Sequence, residues 1–81
     1  MPERQEEERH LAEADRHIAE AEERIRLQQE RLKEQQGHGE AAKTSQVLLF
    51  TMLDGLDPMK VHREQILDRL ANLNKFPYTD R

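Results

Sequence analysis

The distribution of apolar residues between the two halves of this chain constrains its fold more than any other feature. Residues 11–32 carry a thin heptad stripe of Leu11, Ala14, Ile18, Ala21, Ile25, Gln28 and Leu32. Residues 47–73 carry a thick one. It comprises Val47, Leu48, Leu49, Phe50, Met52, Leu53, Leu56, Met59, Val61, Ile66, Leu67, Leu70 and Leu73, of which Leu49, Met52, Leu56, Met59, Ile66 and Leu70 form one row that Leu48, Leu53, Leu67 and Leu73 broaden. A 3–4 alternation sustained over several heptads is the pattern of long amphipathic helices lying side by side. The first half offers too little apolar surface to cover the second. A further surface is therefore expected on the row, most simply a second copy of the chain.

The helices can be bounded from local chemistry. Helix 1 is predicted over about residues 3–36, opened by Pro2 and an acidic first stretch of Glu3, Glu6, Glu7 and Glu8 that complements the helix dipole. Ion pairs at helical spacing, Glu20–Arg24 and Glu22–Arg26 among them, support so polar a helix. Gly37-His38-Gly39 reads as a helix stop and a tight reversal, which makes the two helices antiparallel neighbours. Helix 2 is predicted over about 40–73, kinked or broken at 55–58. There Gly55 can end a helix, and Asp57-Pro58 can cap and restart one. The 3–4 register nevertheless runs through Pro58 without a slip, which favours a collinear helix over a fold-back. Residues 74–81 form a polar tail holding the aromatic cluster Phe76-Pro77-Tyr78, placed either over the open end of the bundle or as a free peptide for a partner.

Composition narrows the function classes. Of 81 residues, 37% are charged and 4% aromatic, a profile that folds only because its apolar residues fall at helical spacing. Residues 1–40 hold 12 acidic against 7 basic side chains, and 41–81 hold 5 against 6. An acidic first helix repels phosphate, so neither nucleic acid nor an anionic membrane surface is an expected partner. With no cysteine, disulfides and thiolate metal sites are excluded. The polar N-terminal ten residues and the lack of any membrane-length apolar run predict a cytoplasmic protein. A core this small needs a staple, and with cysteine absent and metal ligands poor, oligomerisation is left.

No constellation points to catalysis. His10 and His17 lie two helical turns apart, about 10 Å along the axis, too far to share one ion. Glu7-x-x-His10 occurs once, where a carboxylate-bridged metal pair needs it twice. Neither a metal nor a cofactor is expected. Arg63 falls on the seam of helix 2 and Gln28 on that of helix 1. Both read as register devices, Arg63 needing a glutamate from helix 1 or from another subunit. A helix-turn-helix over 47–67 would present Lys60, His62, Arg63, Glu64 and Asp68, a set with no basic footprint.

The run from Ala14 to Ile25 (ADRHIAEAEERI), the glycine reversal, Leu48-Leu49, Met59, His62-Arg63 and Ile66-Leu67 resemble small helical-hairpin proteins of α-proteobacteria. The resemblance covers residues 11–70 and implies the hairpin; it carries no activity. The reading is an all-α antiparallel hairpin forming a homodimeric four-helix bundle, with no catalytic residue. Its expected interface is Leu49, Met52, Leu53, Leu56, Met59, Arg63, Ile66, Leu67 and Leu70. The expected role is a non-enzymatic interaction or regulatory module with an unidentified protein partner. Two alternatives are a purely structural self-assembling bundle and a metal-binding bundle.

Overall fold

The computed structural model describes residues 2–75 as an antiparallel hairpin of two long helices, α1 (Pro2–Glu34) and α2 (Glu40–Lys75). The chain is a rod of 63 × 15 × 13 Å, as expected for helices of 33 and 36 residues laid side by side. The tail Phe76-Pro77-Tyr78 lies outside the described residues.

The reversal follows from two glycines. α1 ends at Glu34, two residues earlier than expected, and a turn carries the chain through Gln35 and Gln36. Gly37 and Gly39 take positive φ angles of 89° and 49°, a region in which a Cβ collides with the backbone. His38 N donates to Gln35 O at 3.0 Å, closing the turn. Lys43 N donates to Gly39 O at 3.1 Å and opens α2.

α2 then runs unbroken through Gly55 and Pro58. Of the two expected possibilities at 55–58, a kink or a break, the break is absent and with it the fold-back, and the collinear helix favoured by the register is the one found. Proline withdraws only its own N–H and crowds the carbonyl four residues back, a cost of about 3 kcal/mol in a helix interior. That carbonyl belongs to Asp54, an exposed residue whose backbone can turn to water. Leu56 and Met59, on either side of the proline, are held against α1, so packing carries the helix across the defect.

The core is a single seam. Ala21, Ile25, Leu49 and Leu56 are buried in it, with Ile18, Leu32, Met52 and Met59 packed against them. Ala14 and Ala21 let the two backbones approach closely. The seam extends past its apolar part on both helices at the same 3–4 spacing. On α1, Arg4 and Glu7 are half-buried and Gln28 is 3% exposed, and Gln35 in the turn is half-buried; on α2, Ser45 is buried and Arg63 half-buried. Polar side chains lay their aliphatic stems along the partner helix and keep their heads in water. This corrects the expectation that the thin stripe leaves the thick one bare: α1 covers the row with methylenes as well as with alanine and isoleucine.

Two contrasting glycine variants test this account. Gly55 has open space around an added Cβ and an ordinary helical φ, so Gly55→Ala is expected to raise stability by about 0.5–1 kcal/mol. Gly37→Ala forces a side chain into the left-handed region and is expected to cost about 1–2 kcal/mol. Thermal and urea melts followed by circular dichroism check both signs.

Candidate interaction surface

Four polar contacts across the hairpin set the register of the seam and so decide what remains outside it. Gln28 Nε2 donates to Ser45 O at 2.9 Å, in a buried position. The Ser45 hydroxyl donates in turn to Gln35 Oε1. Toward the open end, Arg63 Nε donates to Asp15 Oδ1, and Arg69 Nε donates to Glu7 Oε2 at 3.0 Å. As the α2 residue advances from 45 through 63 to 69, its α1 partner recedes from 28 through 15 to 7, the signature of antiparallel pairing. Arg63 and Gln28 are seam residues as expected, but the counter-charge to Arg63 is Asp15 of the same chain, not a glutamate. The Asp15 carboxylate pushes the Arg63 guanidinium further above its already high range. Ile66, one turn from each of these arginines, is the most completely buried large residue described, with 0% exposure.

The row expected to form the dimer interface is therefore largely consumed within the hairpin. Leu49, Leu56 and Ile66 are buried, and Met52, Met59, Arg63, Leu67 and Leu70 are half-buried. Of that set only Leu53, 38% exposed, faces solvent as a large apolar group. On that ground Leu49, Leu56 and Ile66 are corrected from interface to seam residues, while Met52, Met59, Leu67 and Leu70 keep part of their surface outside the seam. Leu73, expected beyond the reach of α1, is also half-buried, and Glu3, Glu6 and Glu7 of α1 lie around it.

A different face of α2 is exposed and apolar. Val47 is 65% exposed, Phe50 55% and Val61 56%, beside Leu53. At 100° per residue these four fall within about 60° of Phe50, on the side turned away from the seam. Leu48, also exposed, points to the other flank, by a shallow depression lined by Lys43, Thr44, Val47 and Thr51. On α1, Leu27 is the one large hydrophobic exposed among the described residues. Residues 44–53, TSQVLLFTML, contain no charge in a chain where 37% of residues are charged. Single exposed apolar residues are ordinary, but three of them together in an uncharged run, Val47, Phe50 and Leu53, are not; Val61 stands apart on the same face, beyond Asp54 and Asp57.

The acidic and histidine residues of α1 make no ligand set. Glu7 is held by Arg69 and lies 3.8 Å from His10. Among the described residues no three His, Cys, Asp or Glu side chains converge on a common point. Elsewhere on α1, Arg26 bridges Glu23 and Glu30 at 2.6 and 2.9 Å, in place of the expected Glu22 pair. Arg26 holds the Glu23 carboxyl below its usual range. Among the described residues, no helix is long and apolar enough to cross a membrane. Comparison with family models, with curated proteins and with solved structures finds no match.

Val47, Phe50 and Val61 belong to the apolar stripe of the second half but fall outside its 3–4 row, and the structure leaves them exposed. The signal that finds them is the extension of both seams into polar residues. Once Arg4, Glu7, Gln28 and Gln35 are counted as cover for α2, its row is satisfied internally and the apolar surplus moves to the back face.

Glutamate placed on each face separates the two roles. Leu49→Glu is expected to cost at least about 3 kcal/mol, since it removes a buried side chain and buries a charge. Leu53→Glu is expected to cost about 1 kcal/mol or less. Melts in dilute solution, where any association is absent, provide the comparison.

Proposed function

We propose that this protein is a non-enzymatic interaction or regulatory module that docks a protein partner on the back face of α2, in the cytoplasm. The observation that carries this reading is the uncharged cluster of Val47, Phe50 and Leu53 on an otherwise charged rod. An exposed cluster of this kind costs solubility and contributes nothing to the hairpin's own seam. Its gain arises when a second surface removes it from water, at about 25 cal/mol per Å² of apolar area. The rim suits such a contact, because Lys43, Asp54, Asp57 and Lys60 supply charges of both signs around the apolar centre.

A purely structural role, in which the chain assembles only with itself, is favoured by the shape. The accessible surface is 6357 Å² for 9.6 kDa, against about 5,100 Å² for a compact monomer of that mass. An elongated hairpin leaves much of itself exposed, and assembly is the ordinary way for a small domain to recover that area.

Photo-crosslinking in cells tests the docking face. With p-benzoylphenylalanine at position 50, a discrete adduct is expected. With the same probe at Glu20, on the outer face of α1, none is expected. Equal labelling at the two positions, or none at either, would sink the reading, and the mass of the adduct identifies what docks.

A further inference from the structure

We infer that the occupant of this face is a second copy of the chain, packed antiparallel about a twofold axis passing beside Phe50. The inference rests on the docking face proposed above and adds its partner and geometry. The argument is self-complementarity. An antiparallel twofold centred on residue 50 sets each position against the one equally far on the other side of 50 in the second copy. Val47 then meets Leu53 of the second copy, and Phe50 meets its own counterpart at the axis. One turn further out, Lys43 meets Asp57 and Glu40 meets Lys60 of the second copy. At 100° per residue all of these positions lie within about 80° of the Phe50 direction, so a single helix face presents the whole set. Between centre and rim, Asp54 faces Gln46 of the second copy, an amide that can donate to the carboxylate; the centre itself is apolar, and both rim pairs are of opposite sign.

The rim charges are also free to be used in this way. Asp57 and Lys60 are exposed, and among the described residues neither makes an ion pair within the chain. Glu40 and Lys43 touch each other loosely at 3.8 Å, with side chains 91% and 75% exposed. Because the operation is twofold, each rim pair occurs twice, and every favourable or unfavourable change is doubled. The intact hairpin seam stays closed throughout. The resulting assembly sets the two α2 helices side by side at its centre with α1 helices outside.

Sedimentation equilibrium on the full chain, with circular dichroism to confirm helix content, tests the proposal. Wild type is expected to be dimeric at micromolar concentration, and Phe50→Glu, which places two like charges at the axis, monomeric with its helix content retained. Lys43→Glu and Asp57→Lys, each creating two repulsive rim pairs, are each expected to weaken association about tenfold. The double variant K43E/D57K is expected to restore it, because exchanging the two charges recreates the attraction only if 43 faces 57 of the other copy. A dimer indifferent to Phe50→Glu, or no recovery in the double variant, overturns the twofold. A wild type that stays monomeric at high micromolar concentration overturns the second copy as occupant. In that event a crosslink from position 50 to a protein of other mass preserves the docking face, and the absence of any crosslink removes both.

Discussion

The antiparallel seam is the constraint on which the rest of this structure depends. A two-helix hairpin has only one interface, so its register decides which side chains are inside and which are left for other purposes. Energetically the register is held unevenly. The Arg63–Asp15 and Arg69–Glu7 pairs are partly exposed, and such pairs are worth about 0–1 kcal/mol each. The buried Gln28–Ser45 contact weighs more, because sliding the helices would strand a desolvated amide at a cost of about 1–3 kcal/mol. The polar layer near the turn therefore selects the register, and the charges at the open end trim it.

Once the register is chosen, a division of labour follows along α2. Its seam residues are spent on α1, and its back face keeps an apolar cluster that the hairpin does not use. The same amphipathic logic that buries Leu49 and Leu56 leaves Val47 and Phe50 outside, since one helix cannot turn two opposite faces to a single neighbour. α1 shows the opposite economy, with alanine at close-approach positions and charge nearly everywhere else. A rod that is polar along one helix and apolar on the outer face of the other is suited to meeting partners from one side.

Much of this was legible in residue order. The glycine pair around His38 announced the reversal, and the seam positions of both helices followed from 3–4 spacing. The tandem of Gly55 and Pro58 left a kink or a break open, and only the unslipped 3–4 register favoured the collinear helix that forms, because local helix-breaking signals carry no information about the packing that flanks them. The expected interface misled for a related reason. Counting only apolar residues on α1 left Arg4, Glu7 and Gln35 out of the seam, although their methylene stems do part of the covering. With those stems omitted, the row from Leu49 to Leu70 looked unpartnered, and the cluster around Phe50 did not stand out.

The amino-acid sequence by itself determined two long helices, their antiparallel order and the heptad positions that face inward. These depend on local periodicity and on backbone freedom at two glycines, both properties of nearby residues. Only the tertiary structure decided that α2 continues through Pro58 and that Asp15 is the partner of Arg63. It alone showed the exposed face centred on Phe50 instead of Met52. Those outcomes depend on how far the side chains of one helix reach across the other, a sum over residues far apart in the chain that no local pattern contains.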